Sequence, residues 1–154
     1  SSSGLFVDGG NHKIQYKTES GTFAVPVIFY QPGSTLKGHI DAIAQQIDIM
    51  PTVLGYLGYD KPYISFGCDL LATPTSQTSA VNYIGGVYQY HKGRYLLQFD
   101  GKESVALYDF VSDRLLEHNL LGTLPEMQSS MESELKAIIQ QYMTRMNTDK
   151  LVCE

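Results

Sequence analysis

Apolar residues change their spacing along this chain, and each spacing predicts a different element. The continuous apolar run from Ala24 to Tyr30 is typical of a strand that is covered on both faces. After Asp48 the apolar residues recur every three or four positions, as in a short helix. Residues 80–110 alternate with period two, and helical spacing returns after Thr123. The predicted fold class is α/β, an α+β arrangement of a strand and helix followed by an antiparallel meander and a long C-terminal helix.

The helix after Asp48 has recognisable ends. Pro51 fits the first helical turn, where its missing N–H removes no hydrogen bond, and the Asp48 carboxylate is expected to cap the free amides. Gly58 stands where a left-handed residue most easily ends a helix. One apolar face is expected to be buried, and it consists of Met50, Val53, Leu54 and Leu57.

Three residue pairs that contain glycine divide residues 80–110 into consecutive β-hairpins. They are Gly85-Gly86, Lys92-Gly93 and Asp100-Gly101, and the runs between them are rich in Val, Tyr, Leu and Phe. Short β-rich runs separated by such turns are typical of antiparallel hairpins. We expect a four-stranded meander with strands at residues 80–84, 87–91, 95–99 and 104–110.

Tyrosines are frequent in the meander, and two interpretations of them stay open. Tyrosine is favourable in strands because it combines an apolar body with a polar tip. A concave face shared by several rings would instead suit a glycan or a partner protein. The residues concerned are Tyr83, Tyr88, Tyr90, Tyr95 and Tyr108.

A long amphipathic helix is predicted after the meander. Thr123 and Glu126 have the spacing of a capping box, and Pro125 fits the first turn. The apolar stripe is expected to pack across the sheet, with a methionine-rich partner groove as the alternative. The stripe consists of Met127, Met131, Leu135, Ile138, Ile139, Tyr142 and Met146.

Length, composition and charge limit the classes of protein that the chain can be. It has 154 residues, 43% of them hydrophobic, which suffices for one domain with a sizeable core. The net charge is −5 and the 11 basic residues are scattered, which argues against nucleic acid and membrane surfaces as partners. Apolar runs are shorter than the roughly 20 residues that span a bilayer. Cys68 and Cys153 match no metal or redox motif, and whether they form a disulfide is left open.

Changes in composition divide the chain into three parts. Residues 1–15 begin with a Ser/Gly-rich stretch and are expected to be a flexible or vector-derived N-terminus. Residues 16–79 carry the apolar strand and the helix after Asp48. Residues 80–154 carry the meander and the C-terminal helix.

The order of several short motifs resembles one enzyme family. The strand ending at Tyr30 is followed by Gln45-Gln46-Ile47-Asp48-Ile49-Met50-Pro51-Thr52 and then by Leu57-Gly58-Tyr59. The second half carries Leu107-Tyr108-Asp109-Phe110, then Asp113, then Glu117-His118-Asn119-Leu120. This order resembles the C-terminal part of sulfatases and phosphoglycerol transferases, the lipoteichoic-acid-synthase-like branch of the alkaline phosphatase superfamily. It is similar to Bacteroidetes-type members and extends from about Tyr16 to Tyr142.

The resemblance implies a parent enzyme that transfers or hydrolyses sulfate or phosphate esters. In this family a Thr, Ser or modified Cys nucleophile works with divalent metal, here Mn, Mg, Ca or Zn. The family includes membrane-anchored enzymes, so the resemblance implies a parent on the periplasmic or extracytoplasmic face of the inner membrane. This chain itself is expected to be soluble, without membrane contact.

Candidate chemical groups in this chain are few. Asp8 matches the Asp of the family's Asp-His pair, but Gly9 stands at the His position, and neither His12 nor Ser1, Ser2 or Ser3 replaces the missing set. The remaining histidines and carboxylates match no metal-ligand spacing, so we assign no catalytic, cofactor or metal residue. These residues are His39, His91, His118, Asp41, Asp48, Asp60 and Asp69.

The predicted function follows from these absences. The chain is expected to be the C-terminal structural portion of such a metal-dependent enzyme, inactive in isolation, with the upstream catalytic part of the same protein as its partner. A homo-oligomer through the strand from Ala24 to Tyr30 is a second expected partner arrangement, because an unpaired apolar strand edge binds another chain. The alternative function is a non-catalytic glycan- or protein-binding module that uses the tyrosine-rich meander.

Overall fold

A computed structural model describes residues 25–151, which form one antiparallel sheet and two α-helices. The first helix is α1 (Ile49–Tyr56), which a 3₁₀ turn (Gln46–Asp48) precedes. The strands are β1 (Ser79–Ile84), β2 (Val87–Lys92), β3 (Tyr95–Phe99) and β4 (Ser104–Asp109), and the last helix is α2 (Pro125–Asn147). This mixed arrangement confirms the predicted fold class.

Tight turns place the four strands side by side in chain order, β1-β2-β3-β4. Gly85 and Gly86 have φ angles of 60° and 86°, which side chains disfavour, so this hairpin depends on its glycine pair. The register places Tyr83 opposite Tyr88, and a bulge interrupts the pairing at Gln98 and Phe99. The predicted meander is confirmed, with strand ends that differ by one residue.

Helix α2 packs on one face of the sheet and forms the main core with it. Met131 and Leu135 of the predicted stripe are 2% and 0% exposed, whereas Met127 and Met146 are more than 40% exposed. Packing across the sheet is therefore confirmed for the middle of the stripe. The buried cluster consists of Tyr90, Leu97, Phe99, Leu107, Met131 and Leu135.

Polar contacts hold α2 at the rim of this core. Glu134 accepts hydrogen bonds from Tyr90 and Lys92, and Glu132 accepts one from Ser104. Burial, together with the hydrogen bond to Glu134, raises the pKa of Tyr90. Strand β2 is thus fixed to α2 by a charged network next to the apolar cluster.

The start of α2 differs from the predicted capping box. The helix begins at Pro125, as its fixed φ angle favours, but Leu124 occupies the cap position and no side chain caps the first amides. Thr123 instead donates its hydroxyl to the Leu120 carbonyl at 2.6 Å. This local bond keeps the hydroxyl in the turn before the helix.

The predicted strand from Ala24 to Tyr30 is not formed in the residues that the structure describes. Ala24 lies outside the described residues, and residues 25–30 have no regular secondary structure. None of the four strands pairs with this segment, so it lacks the ladder that defines a strand. Its side chains are correspondingly exposed, with Ile28 at 81% and Tyr30 at 85%.

The length and composition of the helices bear on whether one of them could span a membrane. Within residues 25–151, neither α-helix combines the length and the apolar composition that a bilayer-spanning helix requires.

Candidate functional site

Asp48, the only acid in the Gln-Ile-Asp-Ile-Met-Pro-Thr motif, joins two distant segments. Its side chain is 1% exposed. One carboxylate oxygen accepts from the Gln45 amide at 2.8 Å, and the other accepts from the Cys68 amide at 2.8 Å. The predicted cap on α1 is wrong, because this carboxylate makes no side-chain cap bond to the helix. Two backbone donors satisfy the charge, so the group acts as a structural anchor.

Thr52 completes this anchor from the next turn of the chain. Its hydroxyl donates to the Asp48 carbonyl at 2.6 Å and accepts from the Leu70 amide at 2.9 Å. Gly67 lies so close to the Ile47 backbone that a Cβ atom at position 67 would overlap the Ile47 carbonyl. We call the group formed by Asp48, Thr52 and residues 67–70 the clamp.

The clamp also explains which side of α1 is buried. The predicted apolar face is wrong, since Met50 is 46% exposed and Leu57 is 70% exposed, while Pro51 and Thr52 are buried. Hydrogen bonds from Thr52 turn the opposite side of the helix inward. Gly58 does adopt the left-handed conformation predicted for it, with φ at 68°.

A wide apolar groove lies between α1 and the preceding irregular segment. It encloses about 1280 Å³ and is lined by residues 25–34 and 36–42 and by side chains of α1. Tyr56 donates its hydroxyl to the Gln31 side chain, which ties the loop after Tyr30 to the helix. Exposed apolar side chains line the groove, and they include Val25, Ile28, Phe29, Tyr30, Leu36, Ile40, Val53 and Leu57.

In the second half, the polar motif residues make structural bonds of the same kind. Arg94 forms an ion pair with Asp109, and this contact lowers the pKa of Asp109 to about 2. Asp113 accepts from the His118 amide at 2.7 Å, which lowers the pKa of Asp113. Asn119 accepts from the Leu107 amide at 3.1 Å and so covers the outer edge of β4. These residues connect turns to strands.

The three histidines within residues 25–151 occupy separate places. His39 and His118 are exposed, whereas His91 is 9% exposed and packs edge-on against Phe110 with ring centroids 5.4 Å apart. Burial lowers the pKa of His91 to about 4, so its ring is neutral at pH 7.

The resemblance implies a divalent metal, which His, Cys, Asp or Glu side chains would hold. Within the described part of the chain, no group of three or more His, Cys, Asp or Glu side chains is close enough to hold a metal ion. These residues therefore do not fit a catalytic metal. Asp8, His12 and the serines at positions 1–3 lie outside the described residues. Asp41 and Asp60 are exposed, and Asp69 accepts from the Leu71 amide.

Cys68 carries a free, half-buried thiol within the clamp. Burial and the neighbouring Asp48 charge raise the pKa of Cys68 above its ordinary value. A thiol whose pKa is raised is a poor nucleophile at neutral pH. Cys153 lies outside the described residues.

The five meander tyrosines do not share one platform. Tyr90 is 1% exposed and donates its hydroxyl to Glu134. The register places Tyr108 opposite Leu96, on the other face of the sheet from Leu107 and the core. Tyr83 and Tyr88 do form a ring pair with centroids 4.6 Å apart, but Tyr88 also packs against the core. The tyrosines are distributed as strand residues.

Comparisons with known proteins add no relative. A scan against protein-family models finds no matching family, and a search of curated proteins finds no match.

Some structural contacts had no signal in the sequence. Gln45 accepts a hydrogen bond from the Val81 amide at 3.1 Å, which joins the clamp segment to the exposed edge of β1. The contacts of Asp48 with Cys68 and of Asn119 with Leu107 likewise join residues that are more than ten positions apart. In the sequence, a polar residue next to an apolar motif indicates a structural hydrogen bond. It does not indicate which distant residue forms that bond.

Proposed function

We propose that this chain is the C-terminal structural portion of a metal-dependent sulfatase or phosphoglycerol-transferase-like enzyme that acts on sulfate or phosphate esters. In this proposal the nucleophile and the metal ligands belong to the upstream catalytic part of the same protein. The segment described here completes the fold and contributes no reacting group. The parent enzyme is proposed to be membrane-anchored and to act on the periplasmic or extracytoplasmic side.

One observation supports the proposal above the others. The polar residues of the family-like motifs are engaged in holding distant segments together, as Asp48 does with Cys68 and Asn119 with Leu107. A carboxylate that works as a general base or metal ligand needs access to substrate or metal, and Asp48 is 1% exposed with both oxygens accepting backbone amides. Motif residues of this kind serve the architecture of an enzyme.

The exposed apolar groove supports the assigned partner. Soluble monomers rarely expose large contiguous apolar patches, and such patches mark surfaces that contact another protein part. Residues 25–42 and α1 present exposed apolar side chains beside the clamp. The upstream catalytic part is the proposed occupant in the intact enzyme.

The test compares the isolated chain with the product of the natural reading frame. Both are assayed with nitrophenyl phosphate, bis(nitrophenyl) phosphate and nitrophenyl sulfate, with Mn²⁺, Mg²⁺, Ca²⁺ or Zn²⁺ added. The proposal predicts metal-dependent turnover by the complete product and none by the isolated chain. Metal-dependent turnover by the isolated chain, or a complete product without any such activity, would overturn it.

A further inference from the structure

We propose that two side-chain carboxamides, those of Gln45 and Asn119, close the two edges of the sheet and prevent a further strand from adding to it. Each carboxamide occupies the place of a peptide group in a neighbouring strand. The inference concerns the chain on its own and stands whether or not the proposed function is correct.

One row of paired residues crosses the sheet from edge to edge. Among the described strands, β1 and β4 lie at the edges, and the outward N–H and C=O groups of an edge strand bind strands of other chains unless they are covered. The row consists of Val81, Tyr90, Leu97 and Leu107, and the last three are at most 1% exposed. Val81 and Leu107 therefore mark the two edges at the level of the core.

At the β4 edge, the Asn119 side chain reproduces the contact of a strand. Its Oδ1 accepts from the Leu107 amide at 3.1 Å, and its Nδ2 donates to the Val105 carbonyl at 3.5 Å. The Leu107 carbonyl accepts from the Leu120 amide at 2.7 Å. Outward groups belong to every second residue of an antiparallel edge strand, and a carboxamide has the same C=O and N–H groups as a peptide. Asn119 and Leu120 thus bind the groups that a fifth strand would use.

The loop around Asn119 fixes this orientation and extends the cover. Oδ1 of Asn119 also accepts from the Leu121 amide at 2.9 Å, and only the oxygen of a carboxamide accepts hydrogen bonds. Earlier in the same loop, the Asp113 amide donates to the Asp109 carbonyl at 2.8 Å. Residues 113–121 therefore cover the β4 edge at several positions without forming a strand.

Gln45 has the same relation to the opposite edge. Its Oε1 accepts from the Val81 amide at 3.1 Å, across 36 positions of the chain. The Gln45 amide donates to Asp48 at 2.8 Å, so the clamp holds this residue beside β1. Two separate loops thus place the same chemical group on the outward amides at the two ends of one row, and this coincidence carries the proposal.

Hydrogen exchange and sedimentation test the β4 edge in Asn119→Ala. The Leu107 amide loses its acceptor, and we expect it to exchange at least about tenfold faster in dilute solution. Two copies are then expected to pair through their open β4 edges, with an association constant at least about tenfold above that of the unmodified chain. At higher concentration the exchange of Leu107 should slow again, because the second copy supplies an acceptor. Unchanged association, or association without this renewed protection, would overturn the proposal.

Two control variants separate an open edge from a weaker fold. Thr52→Val removes hydrogen bonds of the clamp and leaves both edges covered, so its association should match that of the unmodified chain. Asn119→Asp keeps the oxygen that accepts from Leu107 and adds a negative charge at the edge, so it should not associate either. Circular dichroism checks that each variant folds. Either control associating as strongly as Asn119→Ala would contradict the assigned role of the carboxamide.

Gln45→Ala applies the same test to the β1 edge, with the Val81 amide as the reporter. The Val81 amide should exchange faster in dilute solution and regain protection as the concentration rises, while the Leu107 amide stays protected throughout. Gln45→Glu keeps the accepting oxygen and should behave as the unmodified chain. No rise in association for Gln45→Ala would disprove the closure of this edge by Gln45.

Discussion

The Asp48 carboxylate accepts a hydrogen bond from the Cys68 amide, 20 residues along the chain, at 2.8 Å. Through this bond the segment after α1 folds back against the start of the helix, where Thr52 binds the Leu70 amide. The most family-like motif of the chain therefore builds the clamp. This assignment leads to predictions about stability that differ from those for a catalytic carboxylate.

Removal of the Asp48 side chain should destabilise the fold. Asp48→Ala leaves the amides of Gln45 and Cys68 without their partner in a buried place, and each lost partner costs about 1–3 kcal/mol. We expect the free energy of unfolding in urea to fall by about 2–4 kcal/mol. Asp60→Ala is the control, because Asp60 is exposed, and its effect should stay within about 0.5 kcal/mol. Equal effects of both substitutions would contradict the clamp.

Thr52 allows its hydroxyl to be tested apart from its volume. Thr52→Val keeps the shape and removes the bonds to the Asp48 carbonyl and the Leu70 amide, and we expect a loss of about 1–3 kcal/mol. Thr52→Ser keeps the hydroxyl and should lose less. Urea unfolding compares the two variants, and the reverse order would show that packing of the methyl group dominates.

Gly67 should tolerate a methyl group less well than Gly55. A Cβ atom at Gly67 would overlap the backbone of Ile47 and Asp48, which cannot move without opening the clamp, so we expect a loss of about 1–3 kcal/mol. At Gly55 the nearest obstacle is the Asp69 side chain, which can rotate, and alanine favours the helix. Thermal unfolding of Gly67→Ala and Gly55→Ala gives the comparison. A more stable Gly67→Ala variant would disprove the close contact.

Two neighbouring turns of α2 should contribute differently to the free energy of unfolding. Leu135 is 0% exposed in the main cluster, so Leu135→Ala should cost about 2–5 kcal/mol. Ile139 is only partly buried against that cluster, so Ile139→Ala should lower the free energy of unfolding by less. Met146→Ala is the control, because Met146 is 46% exposed. Losses under about 0.5 kcal/mol at both Leu135 and Ile139 in urea would place α2 on another surface.

His91 should make stability depend on pH. Its pKa is about 4 in the folded chain and about 6.5 when unfolded, so the unfolded state binds more protons between these values. Stability should be constant above pH 6.5 and fall below it, by up to about 3 kcal/mol at pH 4. Urea unfolding at several pH values should show a shallower fall for His91→Gln, whereas His39→Gln, at an exposed position, should retain it. An unchanged slope in His91→Gln would exclude His91 as the cause.

The sequence predicted the elements whose determinants are local. The Gly85-Gly86 turn and the period-two runs around it specify hairpins within a few residues, and the meander was confirmed. The middle of the α2 stripe, Met131 and Leu135, was predicted because helical spacing marks a buried face directly.

Features that depend on distant partners were not predictable in this way. The buried side of α1 is set by the hydrogen bonds that Thr52 accepts from the Leu70 amide and Asp48 accepts from the Cys68 amide, which no periodicity encodes. The predicted strand from Ala24 to Tyr30 had strand-forming residues, but a strand also requires a neighbour to pair with. Asp48 was expected to be structural, and its partners could be found only in three dimensions.

The most direct test of the central claim separates structure from chemistry at Asp48 in the product of the complete reading frame. Asp48→Asn is measured for its melting temperature and for kcat/KM with bis(nitrophenyl) phosphate, well below the melting temperature of both forms. Under the proposed function Asp48 anchors the clamp and touches no reacting group, so we expect a lower melting temperature and a kcat/KM within about twofold of the unmodified enzyme. A loss of kcat/KM of about 100-fold or more at an unchanged melting temperature would contradict it.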